Sequence, residues 1–421
     1  MTGVPAGAAR RRLYVFTPLP PQRNGLADYI VEYLPWLARD HEVCVVAASD
    51  QLERVRQARP AQADWTVIGE AEFLARQPDP QGQILYNLGN NGDCVHMLDH
   101  LQAYPGAVVL HDVSLFYLHQ LAAERGWMGT LMAGWLAEDG HAVPPAFLRR
   151  DGSLGLTPGL MYQECLMLAR VLKQASGVLV HTRYAETRLL GAVPELDRRR
   201  LARIPHFVLP PAPPGEEAPA VLQVCGIGPQ HQLLLVPGFL NGNKMLYEVL
   251  AAYRQAQPSC PMLRLVFAGE ERSAEYDLAR RIAAWWPEGD GPVVTGYLDA
   301  EALDVLLARA DLSFVLRYPT YGESSGILPR AALGGGRVIT VDIGAYPEYV
   351  SPQVTLVPVG PGLVAALAQA MREVAAVPSL APDERLMRQT EEQARQADRL
   401  PQALYPAWRE WLDRCHRSSA A

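Results

Sequence analysis

The chain has 421 residues, a net charge of −7 and a mean hydropathy of −0.03, with 49 % hydrophobic and 20 % charged residues. That length exceeds what one hydrophobic core supports, so two domains are expected, and the composition excludes a wholly disordered chain, a collagen and a coiled coil. A pI of 5.8 with no broad basic footprint argues against nucleic acid as a partner.

The predicted elements alternate from the start. Leu13–Thr17 is a short apolar run of β formers, Pro18–Gly25 a loop, and Ala27–Ala38 has helical spacing. Glu42–Ala47, Gln83–Tyr86, Ala107–Leu110 and Gly177–His181 read as further buried strands. Arg125–Leu166 breaks the rhythm with Trp127, Met128, Trp135, Phe147 and Met161 among Gly and Pro, and reads as an insertion of loops and helices. It admits three readings: plain core packing, a lid over a site, or a membrane-facing patch.

Pro205–Ala220 holds six prolines and reads as a stiff extended linker. The alternation then restarts. Gln232–Val236, Arg264–Ala268, Val293–Thr295, Leu312–Leu316 and Arg337–Val341 read as strands. Lys244–Arg254, Ala274–Ala284, Ala300–Ala310 and Leu328–Leu333 read as the helices between them, and Gly362–Val374, Glu384–Asp398 and Gln402–Arg414 as helices that follow. The expected architecture is α/β: two Rossmann-like domains with parallel sheets facing an interdomain cleft. Their bounds are 1–212, with an insertion at about 125–161, and 213–400, followed by a helix over 401–421 that packs back on the first domain.

Ligands of open α/β sheets bind beyond the carboxyl ends of strands. That rule selects Pro18–Asp28, Asn87–Gly92 and His111–Ser114 in the first half, and Gly238–Lys244, Gly269–Arg272, Tyr297 and Arg317–Ile327 in the second. Gly25 permits close backbone approach at a helix start, where an anion is favoured. Lys244 opens a helix and can give a point charge to a phosphate; it and Lys173 are the only lysines in the chain. The small residues Ser325 and Gly326, with Ile327, expose successive backbone N–H groups, while Glu323 beside them suits sugar hydroxyls better than an anion. His111-Asp112, His181 and His206 end or follow strands and read equally as capped structural residues. Neither half carries a G-x-G-x-x-G fingerprint, which disfavours a dinucleotide oxidoreductase, and neither a P-loop nor H-E-x-x-H occurs. The six cysteines form no C-x-x-C and no metal-ligand spacing, so reduced thiols in a cytoplasmic protein are expected. Arg10–Arg12 precede an apolar run too short for a signal peptide or a membrane span.

These pieces in order resemble a bacterial glycosyltransferase of the GT-B fold, similar to family 4 (glycosyl transferases group 1). The similar segments are Thr17–Pro21 with Gly25, Ala27, Asp28 and Tyr29; Tyr86–Asn91; Val108–Asp112; Gly238–Lys244; Val266–Glu270; Thr295–Leu298; Arg317–Gly326; and Val341–Glu348. The resemblance covers most of the chain apart from Arg125–Met161. It implies a retaining, metal-independent transfer from a nucleotide-diphosphate sugar, with no cofactor, to a saccharide or lipid-linked saccharide. Surface polysaccharide or lipopolysaccharide synthesis, at the cytoplasmic membrane face or in the cytoplasm, is the implied setting. Carried over residue by residue, it assigns the donor diphosphate to Gly25, Lys244 and the Ser325–Gly326–Ile327 backbone. Donor-sugar hydroxyls go to His111 and Glu323, the two residues implied to be catalytic. Asn241 and Tyr297 fall on the donor side, and Asn90, Asn91 and Asp112 on the acceptor side.

Two positions depart from the family. Phe239 stands where a basic residue is usual, and Arg317 is expected to supply the charge from a neighbouring loop. The second glutamate of the E-x7-E motif, which contacts ribose, is replaced by Ala331, or by Arg330 when the alignment starts from Gly335 and Val338. Rival readings are another GT-B enzyme, such as a nucleotide-sugar epimerase or a phosphorylase, and a non-catalytic GT-B scaffold.

Overall fold

A computed structural model of the chain describes residues 10–78, 83–126, 132–150, 154–155, 159–211, 218–272 and 277–418. The chain divides into two compact units. One runs to His206, takes in Tyr321–Ser324 and resumes at Pro401; the other comprises Phe207–Thr320 and Ser325–Leu400.

The first unit is built on β1 (Arg11–Phe16), β2 (His41–Ala47), β3 (Trp65–Gly69), β4 (Ile84–Leu88), β5 (Gly106–Leu110), β6 (Ala175–Val180) and β7 (Leu201–Arg203). They form one sheet in the order β3-β2-β1-β4-β5-β6-β7, every pair parallel. The inner strands are short unbroken apolar runs because helices cover both faces of a parallel sheet. Tyr14 sits opposite Cys44 on one side and Ile84 on the other, and Phe16 stacks on Tyr86 at 4.8 Å.

Helix Gly25–Leu37 follows β1. Asn24 caps it, its side-chain oxygen accepting from Ala27 N at 2.8 Å. Leu26, Tyr29, Ile30, Tyr33, Leu34 and Leu37, at helical spacing, turn one stripe inward. The C-terminal helix Pro401–Ser418 packs on the same unit. Trp408 lies 4.5 Å from the Tyr33 ring, Trp411 is buried beside it, and Tyr405 Oη donates to Asp40 at 2.7 Å.

The second unit is built on β8 (Gln232–Pro237), β9 (Leu263–Ala268), β10 (Val293–Val294), β11 (Leu312–Val315), β12 (Arg337–Val341) and β13 (Val354–Val357), in the order β10-β9-β8-β11-β12-β13 and again all parallel. Its core joins the central strands to helices Leu246–Ala256 and Leu363–Ala375 through Val249, Leu250, Tyr253, Leu367 and Met371.

Each sheet thus reverses its winding once, between β1 and β4 in the first and between β8 and β11 in the second. At such a reversal, neighbouring strands send their connections to opposite faces and leave a crevice at their carboxyl ends. The loops that leave β1, β4, β8 and β11 are therefore the ones set around a crevice.

Three edge or near-edge strands, β3, β7 and β13, were not anticipated from the sequence. The proline-rich stretch does not remain extended throughout: helix Ala218–Val224 begins inside it, with Pro219 in the first turn, where its missing N–H is not needed. Residues 212–217 of that stretch lie outside the described residues, as does Ala274 at the start of an expected helix whose described part is Leu278–Trp285. In the expected insertion, Met132 and Trp135 of helix Met132–Glu138 are buried, and Trp135 meets His119 edge-on at 5.4 Å. Asp139 then accepts from Leu168 N at 2.8 Å and Ala169 N at 2.6 Å, tying the segment to the next helix. These residues do core packing; Trp127 and Met128 lie outside the described residues.

Candidate functional site

In the first unit the candidates gather past β1, β4 and β5. Gly25 is the first residue of its helix, and a Cβ built on it meets nothing within 4 Å, so its backbone faces open space. Asn90 is a structural hub. Its N–H donates to Asp112 Oδ2 at 2.7 Å, its Nδ2 to Ser114 O at 2.5 Å, and its Oδ1 accepts from Leu118 N at 3.1 Å. Asn91 caps the short turn Gly92–Cys94 by accepting from Asp93 N at 3.0 Å. Asn90 and Asn91 thus hold the loop rather than present their amides outward.

Glu323 joins this group because Tyr321–Ser324 runs antiparallel to His111–Ser114. Val113 N donates to Gly322 O (3.3 Å), Ser114 N to Tyr321 O (3.3 Å) and Ser324 N to His111 O (3.0 Å), with Asp112 and Glu323 directly paired. The Glu323 carboxylate accepts from Tyr321 N at 2.7 Å, which fixes its orientation. His111, Asp112 and Glu323 are therefore brought together.

His111 lies in a nest of rings: Tyr29 at 5.2 Å, His181 at 4.9 Å and His206 at 6.0 Å between centroids, with its Nε2 3.4 Å from Asn87 Oδ1. Burial, then the two neighbouring imidazoles, push its pKa well below the usual histidine value. Burial likewise takes His181 down to about 4, its Nδ1 meeting Ile204 O at 2.9 Å. Both rings are neutral at pH 7. His111 can thus hydrogen-bond to a hydroxyl but is a poor proton carrier there.

In the second unit the candidates gather past β8, β10 and β11. Gly238 leaves β8 with φ of +81°, and a Cβ on Gly269 would run into its carbonyl, so these two loops touch backbone to backbone. Asn241 begins the turn Gly242–Lys244, its carbonyl accepting from Lys244 N at 3.0 Å. Lys244 is buried, its Nζ donating to Pro237 O at 2.6 Å. Burial, then the positive charge of Arg317, lowers its pKa well below the usual lysine value. Arg317 Nη1 donates to Asn243 Oδ1 at 2.7 Å and its Nε to Tyr346 Oη at 3.3 Å, while Tyr318 N donates to Asn243 O at 2.7 Å. Asn243 thereby clips the loop after β11 to the loop after β8. Ser325 Oγ accepts from Leu328 N at 3.1 Å and caps the short helix Ile327–Leu333. Ala331 is in the core, and Arg330 is bound to Asp304 at 2.8 Å, so no carboxylate occupies either alignment of the second motif position.

Tyr297, 36 % exposed, stacks on Phe239 with centroids 6.1 Å apart and planes at 29°. Arg272 lies over Phe239 with its guanidinium carbon 4.4 Å from the ring centre. Sequence reasoning selected the loop that carries Arg272 but gave this side chain no role, because the contact joins residues far apart in the chain.

No protein-family model matches the chain, and no curated protein matches its sequence. Solved structures do match. HepE from Anabaena, solved with UDP and glucose, is 12 % identical, with a TM-score of 0.62 over 96 % of this chain and 99 % of its own. WaaG, described as a glycosyltransferase involved in lipopolysaccharide biosynthesis, is 16 % identical, with a TM-score of 0.57 over 93 % and 98 %. An α,α-trehalose-phosphate synthase (UDP-forming) from Burkholderia vietnamiensis is 12 % identical, with a TM-score of 0.60 over 98 % and 99 %. The chain is similar to these along nearly its whole length, and its fold is GT-B.

Proposed function

We propose that the chain is a retaining glycosyltransferase that moves a sugar from a nucleotide-diphosphate donor to a saccharide or lipid-linked saccharide. The observation that carries this reading is the joining of the loops after β8 and β11 at the winding reversal of the second sheet, where Arg317 is bound to Asn243 and its charge acts on the buried Lys244. The fold and the UDP and UDP-glucose complexes of HepE support it. So does WaaG for a role in polysaccharide synthesis.

In this reading Lys244, Arg317 and the N–H groups of Ser325, Gly326 and Ile327 take the donor diphosphate. Glu323 and the neutral His111 take hydroxyls of the transferred sugar, and Asp112 lies on the acceptor side. The bond from the anomeric carbon to the diphosphate breaks, and the acceptor oxygen bonds on the same face. The acceptor proton passes to a phosphate oxygen of the departing diphosphate. Charge develops on that diphosphate, so preoriented cations and N–H groups stabilise the transition state more than the ground state. No metal is required for this course. Incubation with a panel of nucleotide sugars and simple saccharides in EDTA tests the reading. Release of nucleoside diphosphate that depends on acceptor supports it; release only with added metal contradicts the metal-independent course, and none in any condition contradicts transfer.

A second reading, a binding subunit without turnover, is favoured by Ala331 in the core and Arg330 tied to Asp304. It predicts nucleotide binding with no release of product. Among the described residues no helix is long and apolar enough to cross a membrane.

A further inference from the structure

Sheet pairing in the second unit continues past the strands. Beyond β8 and β9, Leu240 N donates to Glu270 O at 2.9 Å and Arg272 N to Leu240 O at 3.1 Å, with Leu240 and Glu271 paired in parallel. Phe239 and Arg272 are therefore held on the rungs either side of the Leu240–Glu271 pair by backbone bonds. The Arg272 guanidinium rests 4.4 Å above the Phe239 ring, and Phe239 stacks on the partly exposed Tyr297. Glu270 is 3.3 Å from the same guanidinium.

The cations of the neighbouring loops are turned differently. Lys244 is buried on the Pro237 carbonyl, and Arg317 is bound to Asn243 and Tyr346. The Arg272 side chain keeps 40 % of its surface exposed. A guanidinium on an aromatic face keeps its planar fork of N–H donors directed sideways, the geometry that matches a phosphate. Its ion pair with Glu270 joins this partly exposed guanidinium to a buried carboxylate oxygen, which anchors one edge of the fork and leaves the exposed part to an incoming anion.

We infer that Arg272, carried on Phe239 and steadied by Tyr297, is a further diphosphate-binding residue of this site. This rests on reading the second unit as the donor-binding one. Glu270 holds the guanidinium in position for the anion. Tyr297 then acts through Phe239 as a positioning residue and not through direct contact.

The test uses the full chain and inorganic pyrophosphate, which carries the diphosphate without base or sugar, measured by calorimetry across a salt series. Arg272→Gln is expected to weaken pyrophosphate binding about tenfold or more, the effect of losing a hydrogen bond to a charged partner, and to flatten the salt dependence. Phe239→Leu, which removes only the platform, is expected to weaken it several-fold with an unchanged melting temperature. Unchanged affinity and salt slope in Arg272→Gln, with loss in Lys244→Met, overturns the role of Arg272 and leaves the donor site standing. Absence of pyrophosphate and nucleoside-diphosphate binding by the unsubstituted chain overturns both.

Discussion

Gly25 and Lys244 carry different parts of the account, and each has its own readout. Gly25 starts a helix, and a methyl group there enters open space. Alanine is a better helix former and restricts the unfolded chain, so Gly25→Ala is expected to leave stability unchanged or raised by up to about 1 kcal/mol. If the diphosphate approaches that backbone, the same methyl lowers turnover by about 10²-fold, the usual cost of a displaced substrate. A melting curve and a rate assay on one variant check both halves. Burial and Arg317 disfavour the charged form of Lys244 in the unliganded chain and lower its pKa well below the usual lysine value. A bound diphosphate reverses that preference. Nucleotide binding is therefore expected to take up a proton and to weaken as pH rises, which calorimetry in buffers of different ionisation heat measures. Lys244→Ala is expected to lower kcat/KM by about 10²–10³. Lys244 was visible in the sequence as a rare lysine at a helix start. Arg272 was not singled out, because what marks it is a ring supplied by a different loop.

At the level of elements, the sequence was most legible where strands are buried on both faces. Gln232–Pro237, Leu263–Ala268 and Arg337–Val341 are largely apolar stretches, and the structure places β8, β9 and β12 there. It was least legible at the rims. β3, β7 and β13 have five, three and four residues with one or more exposed positions each, so neither alternation nor an apolar run marks them. The loops after β1, β4, β5, β8, β9, β10 and β11 could be selected as those at the carboxyl ends of predicted strands, whereas the antiparallel docking of Tyr321–Ser324 onto His111–Ser114 could not, since nothing local encodes it. The ring cluster of Tyr29, His111, His181 and His206 has a thermodynamic consequence. His181 has its folded pKa depressed to about 4 from an unfolded value of 6.5, so the unfolded chain binds its proton first. The stability this neutral imidazole contributes is full above pH 6.5 and lost as pH falls towards 4, by about 3 kcal/mol for this group alone. His96 and His416 are also depressed to about 4 and act in the same direction. Denaturant titrations at about pH 7, 5.5 and 4.5 are expected to show a steady fall; equal stabilities would contradict a neutral buried cluster.

At the scale of the molecule, two parallel sheets with the same reversal of winding carry different groups at their carboxyl ends. The second carries basic side chains, Arg317 and Lys244, and the first neutral imidazoles and a carboxylate suited to hydroxyls. A nucleotide should therefore slow hydrogen exchange in the loops after β8, β9 and β11. The most direct measurement is a thermal-shift screen in EDTA with UDP, GDP, ADP, TDP and CMP and their sugar conjugates, run on the unsubstituted chain and on Lys244→Met. Ligand at about 100 times its Kd adds about 2.7 kcal/mol of stability, a readily resolved shift. The account predicts stabilisation by the diphosphates of one base, largely lost in Lys244→Met. No shift with any nucleotide, or a shift that Lys244→Met keeps in full, would contradict it.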